Sequence, residues 1–237
     1  MNRRAFLRLS AGALSVAVAT SLPAALVSGD KGPQAATLGE LAENYQQGQK
    51  AIFGSREIAS SSFAALPQWQ KVLEKTDQDH WTIRGCNAND QQCQEPWAIA
   101  WRDLVEKARV LPKRARLDYI NKSFNYWPYR FDQEVYGVNE YWASPSEFMR
   151  RSGDCEDYSI AKYFALRQVG FGKEEMRIVI LYDQIRNIGH AVLAVYLADD
   201  ILILDSLSDR IISHRKFRHY LPQYSMNESQ RWAHVAV

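Results

Sequence analysis

The 237-residue sequence predicts an α+β fold, with N-terminal helices packed on a C-terminal antiparallel sheet. Three observations carry this expectation. Up to Gly170 the apolar residues recur at steps of three and four, with prolines at the breaks. Beyond Gly170 the pattern turns to β-branched and alternating runs. The two kinds of segment are segregated, which gives an α+β order rather than repeating βαβ units.

Taken in order, the first residues read as targeting. Arg3 and Arg4 precede an uncharged run from Ala11 to Ala19 that is too short to span a bilayer comfortably. Asn2-Arg3-Arg4-Ala5-Phe6-Leu7-Arg8 is similar to the twin-arginine export motif. Residues 1–29 are therefore expected to be an export signal, residues 30–237 one domain, and a bacterial periplasm the destination. Asp30 to Ala36 reads as a linker. From Leu38 to about Thr76 the spacing is helical, broken at Gly54 and Pro67. Pro96 opens a helix in which Trp97, Ala100, Trp101, Leu104 and Val105 form a stripe, and Pro112 ends it. Leu117 to Trp127 reads as another helix, closed by Pro128. In Ser144-Pro145-Ser146-Glu147 the acid stands three residues after the serine, the signature of a capping box. A further helix runs from Cys155 to about Gln168, with Gly170 as its terminator. Arg177 to Tyr182, Ala191 to Leu197 and Ile201 to Leu204 read as strands, with Ala198-Asp199-Asp200 as a hairpin turn. Arg210 to His219 is a further short element, and the tail from Ser225 is expected to be weakly ordered apart from Trp232.

Composition narrows the function classes. Twenty-nine basic and twenty-seven acidic residues leave a net charge of +2, and the basic residues are dispersed. The short clusters at Lys113 to Arg116 and His214 to Arg218 read as solvated faces, so a nucleic-acid footprint is not expected.

The three cysteines divide into a pair and a remainder. Cys86 and Cys93 bracket a polar, turn-rich stretch and are placed to close a short disulfide loop in an oxidising compartment. No second Cys or His pair stands at ligand spacing, which disfavours a metal site there. Cys155 is left over. Its position at a helix start favours the thiolate, through unpaired N–H groups and the helix dipole. Asp154, Glu156 and Asp157 oppose this, because neighbouring negative charge raises a thiol pKa. A thiol nucleophile needs a base and a group to orient it. Of His80, His190, His214, His219 and His234, His190 has the best setting, at the mouth of an apolar strand. Asp205 ends the return arm of the same hairpin and is the favoured third member, with Asp209 the weaker candidate.

Tyr141-Trp142-Ala143-Ser144-Pro145, Gly153-Asp154-Cys155-Glu156-Asp157-Tyr158-Ser159-Ile160-Ala161-Lys162-Tyr163, Gly189-His190-Ala191-Val192-Leu193 and Leu204-Asp205 together resemble the bacterial transglutaminase-like cysteine proteinases, most closely the LapG-type periplasmic proteases. The likeness covers roughly Leu38 to Trp232. It implies a papain-like, transglutaminase-like fold and a catalytic triad of Cys155, His190 and Asp205. It also implies a Ca²⁺ site using Asp154, Glu156 and Asp157, whose bland reading is helix capping and first-turn charge. The expected activity is calcium-dependent cleavage of the N-terminal region of a large repeat-rich surface adhesin, which promotes biofilm dispersal. The expected regulator is an inner-membrane cyclic-di-GMP receptor that sequesters the protease. Two rival readings share these residues: transfer of the acyl group to an amine, as in a transglutaminase, and a calcium-dependent periplasmic binding module without catalysis.

Overall fold

The structure is a computed structural model that describes residues 51–88 and 93–236. The expected export signal, linker and first helical residues up to position 50 lie outside the described residues.

Helices α1 (Pro67–Ala88), α2 (Pro96–Arg109), α3 (Lys113–Asn125), α4 (Asp132–Val135), α5 (Pro145–Arg151) and α6 (Cys155–Gln168) precede six of seven strands. The strands are β1 (Arg56–Ser60), β2 (Met176–Asp183), β3 (Ile188–Tyr196), β4 (Ile201–Asp205), β5 (Ser208–Ser213), β6 (Tyr220–Met226) and β7 (Arg231–Val235). They form one sheet in the order β1-β7-β6-β2-β3-β4-β5, every neighbour antiparallel. The α+β expectation therefore holds.

Punctuation accounts for the helix ends. Proline occupies the first turn of α2 and α5, where its missing N–H is not needed. Ser144 and Glu147 form the expected capping box on α5, and Asp79 of α1 adds bonds to Ser144 Oγ and Ser146 N at 2.9 and 3.0 Å. Gly170, at φ +97°, turns the chain after α6 while Phe171 N–H donates back to Leu166 O. Arg116, in the first turn of α3, donates to Arg109 O and Leu111 O at the end of α2 and to Val169 O at the end of α6. One guanidinium thus satisfies carbonyls that two helix ends leave over. Cys86 and Cys93 are joined in a disulfide, and closing so short a loop contributes about 2–3 kcal/mol.

Alternation along the central strands serves two apolar layers. Ile178 and Ile180 of β2, Ala191, Leu193 and Val195 of β3, and Leu202 and Leu204 of β4 face the helices. Val179, Leu181, Val192, Ala194, Ile201 and Ile203 form a second cluster with Ile52 and Tyr220 on the opposite face.

Two expectations are corrected. The stretch after Gly54 was expected to be helical, yet it forms β1. That strand carries Ile58 as its main apolar side chain, and Ile58 is exposed. Pairing with β7, not an internal pattern, makes it a strand. The tail from Ser225 is also ordered. It completes β6 and forms β7, with Met226, Trp232 and His234 buried. Pro222 of β6 sits where the β2–β6 register shifts, a position that tolerates a missing donor. Arg177 of β2 ties this edge together: it pairs with Glu57 of β1 at 2.6 Å and lies 3.6 Å over the Trp232 ring.

His234 fastens the same edge. Ser55 Oγ donates to Ile52 O and lies 2.8 Å from His234 Nδ1, so Nδ1 is the donor to Ser55. Nε2 is then the acceptor for Ser225 Oγ at 2.8 Å, and the ring is neutral. Burial lowers its pKa to about 4. A histidine depressed on folding binds its proton more readily in the unfolded chain. Its contribution is therefore intact above the unfolded value near 6.5 and is lost as pH falls toward 4, by up to about 3 kcal/mol. Urea unfolding between about pH 7.5 and 4.5 should show a shallower acid loss for His234→Asn than for the parent. Equal slopes would contradict this assignment.

Candidate active site

Cys155 occupies the first turn of α6, and from Asp157 to Leu166 every residue of that helix is buried. The N-terminus meets β3 at a particular place. β4 pairs with β3 only from Tyr196↔Ile201 to Leu193↔Leu204, so the β3 edge is open beyond Leu193 on that side. The Ala191 N–H lies near enough to the Cys155 sulfur to favour the thiolate slightly. The thiol itself donates to Glu156 Oε2 at 3.0 Å, and the Tyr129 side chain is close enough for the sulfur to raise its pKa.

His190, one residue before Ala191, is buried. Its Nε2 lies 2.9 Å from Asp205 Oδ1 at the end of β4. Asp205 is held on all sides. Oδ1 also accepts the Leu207 N–H at 3.0 Å, and Oδ2 accepts the Tyr220 hydroxyl at 2.8 Å. The Tyr220 ring meets the imidazole edge-on, with centroids 5.9 Å apart. Burial raises the Asp205 pKa, but the hydrogen bond and charge of His190 outweigh it and hold the carboxyl below the usual range. Asp209, the weaker candidate, bonds to Asn125 instead. With Nε2 committed to Asp205, Nδ1 is the ring nitrogen left for other work.

The thiol is in an opposing field. Burial pushes the Cys155 pKa well up, and the adjacent Glu156 and Asp154 charges add to it. Asp154 and Asp157 are themselves raised, first by burial and then by neighbouring carboxylates. Two overlapping groups have ligand atoms within 4.8 Å of one another: Asp154 with Cys155 and Glu156, and Asp132 with Asp154 and Asp157. Asp132 Oδ1 and Asp154 Oδ1 are buried with no hydrogen-bond partner, which suits a missing hard cation. Asp157 is already engaged. Its oxygens accept the N–H groups of Ala143 at 2.6 Å and Asp154 at 3.2 Å, so it locks the helix start whatever else it does.

Asp132, Tyr129 and Tyr220 were not singled out from the sequence. Tyr129 and Asp132 reach the site because their segment runs beside the cysteine loop, with a Tyr129↔Gly153 bridge and Arg130 N–H donating to Gly153 O at 2.9 Å. Among the aromatics, Trp142 is buried and Tyr126 is almost fully exposed. Tyr129, stacked on Tyr158, stands beside the sulfur.

Residues 72–237 match the family described as bacterial transglutaminase-like cysteine proteinase BTLCP. Calcium-bound LapG of Legionella pneumophila is similar in structure, with 34% identity, a TM-score of 0.53, and coverage of 58% of this chain and 77% of that one. Legionella pneumophila LapG without that description matches at 30% identity and TM-score 0.55, over 65% of this chain and 86% of that one. The EGTA-treated form gives the same identity and TM-score, over 65% and 84%. Comparison with curated proteins gave no match.

Gly153 is required by close approach. A Cβ there would lie 1.9 Å from Asp157 Oδ2, the atom that accepts the Asp154 N–H. Gly153→Ala should lower stability by about 1–3 kcal/mol through overpacking. Gly85→Ala, in α1 with nothing within 4 Å of its Cβ, should raise stability by about 0.5–1 kcal/mol. Denaturant midpoints measure both, and a Gly153→Ala protein as stable as the parent would refute the constraint.

Proposed function

Because the chain belongs to the bacterial transglutaminase-like cysteine proteinases, we propose that it is a calcium-dependent periplasmic cysteine endopeptidase with Cys155, His190 and Asp205 as its catalytic triad. One observation carries the reading. The protein's free thiol meets β3 beside His190, and that histidine is bonded through Nε2 to a buried, ionised Asp205.

His190 Nδ1 takes the proton of the Cys155 thiol, and the thiolate attacks the peptide carbonyl carbon. When the C–N bond breaks, the imidazolium returns the proton to the leaving amine. Water then cleaves the thioester with His190 as base. Asp205 fixes the ring tautomer and stabilises the imidazolium without being protonated. Backbone N–H groups at the start of α6 would stabilise the developing oxyanion.

Asp154, Glu156 and Asp157, joined by Asp132, would hold calcium, and the two unpartnered oxygens of Asp132 and Asp154 support this choice. Bound there, the ion supplies positive charge against the carboxylates that raise the thiol pKa. The relative solved with calcium supports the choice of ion. Export to the periplasm is supported by the leader sequence and by a disulfide suited to an oxidising compartment. By family resemblance the substrate is the N-terminal region of a large repeat-rich adhesin, whose release disperses biofilm. An inner-membrane cyclic-di-GMP receptor sequesters the enzyme.

The test is incubation with adhesin N-terminal fragments, with and without a chelator. Cys155→Ala should lower cleavage by roughly three orders of magnitude or more. Chelation should lower both cleavage and the thermal midpoint; if it changes neither, the calcium assignment is wrong. A labelled amine should stay out of the products, and its incorporation would favour acyl transfer instead.

A further inference from the structure

Lys162 lies two turns after Cys155 on α6. It is fully buried, and the chemistry above gives it no task. Its Nζ donates to Asn125 Oδ1 at 2.7 Å and lies 5.7 Å from the centroid of the Tyr158 ring. Asn125, the last residue of α3, passes the contact on. Its Nδ2 donates to the Asp205 backbone carbonyl at 3.0 Å and to Asp209 Oδ1 at 3.1 Å. One turn earlier on the same helix, Asn121 Nδ2 donates to Ser208 O at 3.0 Å. Two asparagines of α3 therefore grip the turn between β4 and β5, and one of them is held by the helix that bears Cys155.

The side-chain chemistry gives the arrangement direction. The lysine Nζ donates to Asn125, so the amide must present its oxygen to Lys162 and its nitrogen to the turn. With the amide reversed, its oxygen would face two acceptors, the Asp205 carbonyl and the Asp209 carboxylate. A hydrophobe of similar length would fill the space without desolvating an amine, but would leave Asn125 Oδ1 without its donor and α6 without its hold on the turn. Burial lowers the Lys162 pKa to about 7 while the charges of Asp205 and Asp209 raise it. In either protonation state Nζ keeps a hydrogen to donate.

We propose that Lys162 is a positioning residue: through Asn125 it fixes the backbone of Asp205, and so the carboxylate that orients His190, to the helix carrying Cys155. The assignment rests on the triad reading above. No contact between Lys162 and substrate is involved.

The probe is the low-field ring N–H proton of His190 in the His190–Asp205 bond, read by NMR in the calcium-supplemented protein and assigned by its loss in His190→Gln. Lys162→Met should shift this resonance or lose it to exchange, and should slow iodoacetamide alkylation of Cys155 at neutral pH by about tenfold. Asn125→Asp keeps Lys162 paired but removes the donor to Asp205, so it should reproduce both effects and serves if Lys162→Met fails to fold. If either folded variant keeps the parent resonance and alkylation rate while Asp205→Asn loses both, the proposal is overturned. Failure of the protease reading would appear separately, as a Cys155→Ala protein that still cleaves.

Discussion

Everything in this molecule is arranged around a helix that is buried on every side. From Asp157 to Leu166, α6 has no solvent face. A helix in that position cannot display reactive groups along its length, so its chemistry is confined to its ends. The C-terminal end is closed by Gly170 and Arg116. The N-terminal end carries Cys155 to the edge of β3, where β4 has already ended its pairing. The location of Cys155 is thus a result of where the core stops.

The same burial explains the density of polar bonding around the site. Groups removed from water must find partners, and here they find them in chains. Asp157 takes two backbone N–H groups, and Asp205 takes His190, Leu207 N–H and Tyr220. The unpartnered oxygens of Asp132 and Asp154 stand out against this background of satisfaction. They, more than the count of acids, mark the spot where a cation could be held.

Much of this was legible in the sequence, and the rest was not for identifiable reasons. α2, α3, α5 and α6 announce themselves through proline punctuation and apolar stripes that need only local spacing. His190 and Asp205 could be brought near each other because one short hairpin joins their strands, but the turn alone did not set the register and left Asp209 as the weaker alternative. Tyr129 and Asp132 could not be placed, because they arrive through a tertiary bridge to Gly153 that has no local signature. β1 lacks an apolar alternation and β6 contains Pro222, so both are strands by virtue of their neighbours. The role of Asp157 was ambiguous for another reason: the same residue type at the same position serves as helix brace and as ligand.

The pairing of β1 with β7 brings Arg56 opposite Val235, and so joins segments from nearly opposite ends of the described chain. Such a contact closes a very long loop, and the entropy of closing it must be met before the bonds are gained. In folding, this edge is the seam that seals after the central strands have found one another. β1 is an edge strand paired on one side only, so its backbone amides should exchange with solvent ahead of those in β2 and β3. The His190–Asp205 pair lies on the far side of β2 from that seam, so the sheet can loosen at one margin while the hairpin holding both residues stays closed.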